Sequence, residues 1–145
     1  MSKVPDLLIL STIEEYKKYF VDKYCKKEII TFDGIYVKFY EDQFEHAFYE
    51  SSNKKKRDKD VFSIDRAMRM DWIEYVLQNP KVELHLGWNR DKKVYNKDRR
   101  VAIISPEDYV VIIRLNGNNK AKFITAYHAD NSADEIRKMP LWKQS

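Results

Sequence analysis

From residue 11 onward, apolar positions recur at intervals of three and four. Ile13, Tyr16, Phe20 and Tyr24 make one face of a predicted helix that reaches about Cys25. Ser11/Glu14 and Thr12/Glu15 each have the spacing of a capping box, which satisfies free backbone N–H groups at a helix start. Residues 28–40 then read as a hairpin, EIITF-DG-IYVKFY, with Asp33-Gly34 supplying the turn. Asp42, with Glu45 three places on, opens a second helix whose apolar side is Phe44, Ala47 and Phe48. His46 falls roughly 200° around that helix from either phenylalanine and so leaves the apolar side for a groove or for solvent. Ser63 caps a third helix, IDRAMRMDWIEYVLQN, packed through Ile64, Ala67, Met68, Trp72, Ile73, Val76 and Leu77 and ended by Asn79-Pro80.

After Pro80 the period changes to two. In VELHLGW, Val82, Leu84 and Leu86 point inward, and Glu83 and His85 outward. RRVAIIS, YVVIIRL and AKFITAY follow, joined by the turn sequences SPED and NGNN. A short helix, SADEIRKM, precedes Pro140-Leu141-Trp142, where Trp142 is placed to anchor the tail. Helices first and strands later predict an α+β fold: N-terminal helices and a β-hairpin, followed by a four-stranded antiparallel sheet. The 145 residues suit one domain, residues 1–145, with no repeat and no linker.

Composition narrows the functional classes. Hydrophobic residues at 43% supply a real core. The net charge of +4 permits nucleic-acid binding without demanding it, so the location of the charge matters more than its sum. A single cysteine, Cys25, among apolar and aromatic neighbours suits a buried inert thiol and cannot form an intramolecular disulfide. The only apolar run near the N-terminus, residues 7–10, is too short for a signal peptide or a membrane span, so a soluble cytoplasmic protein with no membrane partner is expected.

Several chemistries lack their residues. His46, His85, His128 and Cys25 stand at no metal-ligand spacing, so no metal site is expected. Gly34, Gly87 and Gly117 occur singly, which removes dinucleotide-binding and P-loop fingerprints and leaves no cofactor expected. The strained Gly-x-Ser-x-Gly elbow of a serine hydrolase is missing too. Metal-free acid–base chemistry on an anion remains. Cleavage of RNA by its own 2′-hydroxyl needs a group to take that proton, a group to protonate the leaving 5′ oxygen, and a cation for the phosphorane. His46, Arg66 and Arg69 supply those types, the arginines three apart on one helix and able to grip phosphate. The same arginines serve equally well as solvated ion-pairing groups, and a surface role suits His46. Strict alternation puts Phe123, Thr125 and Tyr127 on one face of the last strand, where a hydroxyl and a phenol two apart can bond a phosphate or stack a base. Packing alone also explains Tyr127. Two basic runs suit RNA contacts: Lys54, Lys55, Lys56 and Arg57 in a polar loop, and Lys97 and Arg99 around Tyr95. A charged hairpin loop explains the second run almost as well.

The ordered set F-x-H-A-F (residues 44–48), F-x-x-D-R-A-x-R-M-x-W-I (62–73), Y-V-V-I-I-R (109–114) and F-I-T-A-Y (123–127) resembles the phage-type branch of the barnase–EndoU–colicin–RelE nuclease superfamily. The likeness runs from about Phe32 to Trp142. It implies a BECR-type fold and a metal-independent endoribonuclease, of the toxin or effector type found in phages and mobile elements, leaving a 2′,3′-cyclic phosphate. On it, His46 is the acid–base histidine, Arg66 and Arg69 bind phosphate, Thr125 and Tyr127 orient the phosphate or base, and Lys97 and Arg99 are secondary phosphate contacts. It also implies an immunity or antitoxin protein as partner. His85 and His128 are candidates for the second proton-transfer group by type alone. The alternative is a noncatalytic RNA- or protein-binding module of a phage or mobile element.

Overall fold

The structure is a computed structural model and describes residues 4–51, 61–89 and 91–142. Helix α1 (Ile13–Phe20) starts on the Thr12 member of the two capping alternatives: Glu15 N donates to Thr12 Oγ1 at 3.1 Å, and that hydroxyl lies 3.2 Å from Glu15 Oε1. Its last turn widens into a π-helix, Val21–Cys25. Tyr16, Phe20 and Tyr24 are buried as the spacing requires, whereas Ile13 stays exposed. Phe20 sits within 5.5–6.3 Å, centroid to centroid, of Tyr24, Phe39, Phe44, Phe48 and Phe123. That aromatic group locks α1, the hairpin, α2 (Gln43–Phe48) and the sheet into one core. Asp42 precedes α2 without making a side-chain cap bond.

Strands β1 (Ile29–Ile30) and β2 (Tyr36–Lys38) form the expected hairpin. Five residues, 31–35, separate the paired Ile30 and Tyr36, with Gly34 at φ +87°, a conformation that glycine adopts without a Cβ penalty. The helix from Ser63 is capped as predicted, Arg66 N donating to Ser63 Oγ at 3.3 Å. It is not continuous. It breaks at Arg69 (φ −99°, ψ 16°) into α3 (Ile64–Met68) and α4 (Met70–Leu77). The carbonyls there are taken from outside the helix. Leu8 N donates to Met68 O, Tyr109 Oη to Arg69 O, and Tyr24 Oη to Met70 O. Ile64, expected in the packing face, is exposed, and Met70 is buried instead.

The four late strands are present as β5 (Glu83–Asn89), β6 (Val94–Ile104), β7 (Tyr109–Leu115) and β8 (Lys120–His128), after a short pair β3 (Tyr49–Glu50) and β4 (Val61–Phe62). They do not form a four-stranded antiparallel sheet. The hairpin joins them, giving one six-stranded mixed sheet of order β1-β2-β8-β7-β6-β5, with β2 and β8 parallel. The fold is α+β. Parallel pairing stops at Lys38↔Lys122, and α2 covers the edge of β8 beyond it, where Gln43 Nε2 donates to Ile124 O at 2.5 Å.

Both faces of the central strands are buried. Ala102, Ile104, Tyr109, Val111 and Ile113 face the helices and the aromatic core, while Val101, Ile103, Val110 and Ile112 face a second cluster with Ala133 and Ile136 of α5 (Ala133–Arg137). His85 belongs to this covered side. It is 1% exposed, with Nδ1 2.9 Å from Met139 O, which corrects the outward placement that alternation predicted. The chain after α5 runs back along β5: Leu86 N donates to Pro140 O and Trp142 N to Leu84 O. Trp142 anchors it further, its indole N–H donating to Lys97 O at 3.0 Å. The strand read from Arg99 onward starts earlier, at Val94, and takes in residues 94–98 of the basic run.

Candidate functional site

A groove of about 650 Å³ opens on the part of the second sheet face that α5 leaves uncovered. His46, Arg99, Thr125 and Tyr127 line it together with Trp88, Asn89, Asp91, Asn96, Asp98, Ile112 and Arg114. A smaller pocket of about 230 Å³ is lined by Arg66, Arg69, Tyr127 and His128, with Glu50, Asp65 and Asp130. Tyr127 is a wall of both. Seven of the described candidate residues are thus distributed over two pockets that meet at one phenol.

The orientation of Thr125 and Tyr127 depends on an irregularity that strict alternation misses. β7 and β8 pair Ile112↔Thr125 and Ile113↔Phe123, so Ile124 is an extra residue in β8. The bulge turns Phe123 into the aromatic core, opposite to Thr125 and Tyr127, where the sequence placed all three together. Thr125 is 9% exposed, and its hydroxyl has no hydrogen-bond partner among the described residues. A buried hydroxyl left unpaired costs free energy. His46 reaches the groove because α2 buries Phe44, Ala47 and Phe48, which turns the imidazole away from the core as its helical angle predicted.

Arg66 and Arg69 share a pocket although the helix between them is broken. Arg66 Nη1 donates to Ala47 O at 3.2 Å, its Nε lies 3.3 Å from Glu50 Oε1, and its guanidinium lies 5.6 Å from the Tyr127 ring centroid. Arg69 Nη1 donates to Asp65 O at 2.8 Å, its guanidinium lies over Trp72 at 5.2 Å, and its buried Nε has no partner among the described residues. Burial raises the Tyr127 phenol above its ordinary value, and Arg66 and Arg99 pull the other way. The phenol keeps its proton at neutral pH and stands in the field of a cation from each pocket. The structure also separates the two remaining histidines. His85 is sealed beneath the C-terminal segment, whereas His128 lines the arginine pocket with Nδ1 2.8 Å from Asp130 Oδ1.

Lys97 is exposed and lines neither pocket. Lys54, Lys55, Lys56 and Arg57 lie outside the described residues. Arg100, adjacent to Arg99, is a structural cation: it is 1% exposed, 2.8 Å from Asp33, and 4.9 Å from the Trp142 ring centroid. Sequence reading missed Trp88, Asn89, Asn96 and Arg114 in the groove, since β5 looked like an ordinary alternating strand and the strand after it was read only from Arg99. Among the described residues, no group of three or more His, Cys, Asp or Glu is placed to hold a metal ion, and no helix is long and apolar enough to cross a membrane. No protein-family model, no curated protein and no solved structure matches the chain.

Proposed function

We propose that this protein is a metal-independent endoribonuclease of toxin or effector type, with a BECR-like arrangement, that cleaves RNA by attack of the 2′-hydroxyl on the adjacent phosphate. The observation that carries the reading is the meeting at Tyr127 of His46, Arg99 and Thr125 from one side and Arg66, Arg69 and His128 from the other. These residues come from α2, α3, β6 and β8 and the α3–α4 junction, and they are the types the reaction needs.

In this reading His46 takes the 2′-hydroxyl proton as the O2′–P bond forms. Arg99 and Arg66 offset the charge gathering on the phosphorane. Tyr127, still protonated, and Thr125 donate hydrogen bonds to its oxygens. As the P–O5′ bond breaks, the leaving oxygen takes a proton from His128, which Asp130 holds in place. The products are a 2′,3′-cyclic phosphate and a 5′-hydroxyl. A protein of this kind would have a neutralising partner in the cell that makes it.

The test is incubation of single-stranded RNA with the wild-type chain and with His46→Ala, both in EDTA. Cleavage by the wild type and its loss in the variant support the reading. Equal cleavage by both, or none by either, overturns it. Salt-sensitive binding without turnover, unchanged by His46→Ala, would instead indicate a noncatalytic RNA-binding module.

A further inference from the structure

The β5–β6 hairpin carries two large aromatic residues that the chemistry above does not use. Trp88 and Tyr95 face each other across the ladder, their ring centroids 5.0 Å apart and their planes at 70°. Each is 43% exposed. An edge-to-face pair of this kind stabilises a hairpin and fixes the ring orientations. It does not explain why so much indole surface is left open, nor why Trp88 lines the same groove as His46 and Thr125.

We propose that Trp88, braced by Tyr95, is a stacking platform for an unpaired nucleobase, so that the groove takes single-stranded rather than duplex nucleic acid. The choice of polymer rests on the ribonuclease reading, but the platform is argued from the groove itself. Asn89 and Asn96 line the groove close to Trp88 along the hairpin; Asn89 Oδ1 accepts from the Asp91 and Lys92 N–H groups, which leaves its NH2 group, with the Asn96 amide, for the hydrogen-bonding edge of a base. Arg99 and Arg114 line it as well and suit a phosphate backbone. The groove volume of about 650 Å³ lies in the range of sites that enclose a small organic ligand. An aromatic ring beside amides and guanidiniums matches a splayed nucleotide, whose base is free to stack. Bases inside a double helix are already stacked and closed to such a platform.

The test uses the full chain and a 2′-deoxy oligonucleotide, which cannot be cleaved by a 2′-hydroxyl, alone or annealed to its complement. Binding is read by anisotropy and by tryptophan fluorescence. The single strand is expected to bind at least about tenfold more tightly than the duplex and to quench fluorescence. Trp88→Ala should weaken binding of the single strand by roughly 5- to 100-fold, the range for losing one base stack. Trp88→Phe should restore most of the affinity and abolish the quenching, which assigns the signal to Trp88 rather than to Trp72 or Trp142. Equal affinity of Trp88→Ala and wild type, quenching that persists in Trp88→Phe, preference for duplex, or no binding overturns the proposal. Binding through Trp88 by a protein that never cleaves RNA would sink the ribonuclease reading and leave the platform standing. Cleavage with no dependence on residue 88 would do the reverse.

Discussion

Arg99 lies across Gly87 so closely that a Cβ at residue 87 would sit 2.3 Å from Arg99 Cγ and 2.6 Å from Cδ. The β5–β6 register jumps at this point from Leu86↔Arg100 to Gly87↔Asn96, leaving residues 97–99 outside the β5 ladder. The bulge and the glycine together let the Arg99 side chain cross the neighbouring strand into the groove. Gly87→Ala should therefore act as an Arg99 mutation at a distance. RNA cleavage is expected to fall about 100- to 1,000-fold, as for loss of one group stabilising the transition state, with a stability cost of about 1–3 kcal/mol for the crowding. Cleavage by Gly87→Ala, Arg99→Ala and the double variant, with urea melts of each, checks this. A double variant much worse than either single would contradict a shared path.

The proton-transfer role proposed for His128 can be separated from its contribution to folding. If it protonates the leaving 5′ oxygen, His128→Ala should lose about 100-fold or more on ordinary RNA. It should recover to near wild-type rates on a substrate whose bridging 5′ oxygen is replaced by sulfur, a leaving group that needs no acid. Loss of equal size on both substrates would remove His128 from the proton transfer. His85→Ala should show no such selective rescue, since His85 is buried against Met139.

The Arg100–Asp33 pair is a stability element. Arg100 is enclosed between the Phe32 and Trp142 rings, and burial lowers its pKa while Asp33 opposes that shift. Removing the carboxylate with Asp33→Asn leaves a buried cation without its counter-charge and should cost about 3 kcal/mol. Arg100→Met removes the charge along with the need for a partner and should cost less, although it deletes the larger group. Urea midpoints of the two variants decide it, and the opposite order would contradict this account.

Stability should fall at alkaline pH. Burial raises the Cys25 thiol from its ordinary value of 9.0 to about 11. Burial, then the hydrogen bond and charge of Asp71 and the charge of Glu74, raise the Tyr19 phenol from 10.0 to about 12. An unfolded chain releases these protons at about 9 and 10, whereas the folded chain holds them to about 11 and 12. Between pH 9 and 12 the folded state thus binds more protons, and stability declines as pH rises through that window. Below pH 9 these groups contribute no slope. Denaturation curves at pH 8 and pH 10.5 test the sign, and a higher midpoint at pH 10.5 would contradict it.

Most local signals in this chain were read correctly, although Asp42 makes no side-chain cap bond to α2. The Thr12 and Ser63 caps, the Asp33-Gly34 turn and the outward His46 all depend on neighbours a few residues away. What else failed depends on distant partners. β2 lies beside β8 because of tertiary docking, and the helix breaks at Arg69 because Leu8, Tyr109 and Tyr24 take its carbonyls. The continuous apolar runs Val101–Ile104 and Tyr109–Ile113 did carry a signal of burial on both faces, and with it the reason His85 is covered. The residue types that line the two candidate pockets were legible. Its geometry was not, because the Ile124 bulge, which turns Thr125 and Tyr127 away from the core face of Phe123, leaves no mark in an alternating pattern.

The end group of the RNA product reports how the phosphate is attacked. A short single-stranded RNA is incubated with the wild-type chain in EDTA, and the new termini are identified by mass. The account predicts a 2′,3′-cyclic phosphate paired with a 5′-hydroxyl, both abolished by His46→Ala and by a 2′-deoxy substitution at the cut position. Intact RNA, or fragments ending in a 3′-hydroxyl and a 5′-phosphate, would contradict it.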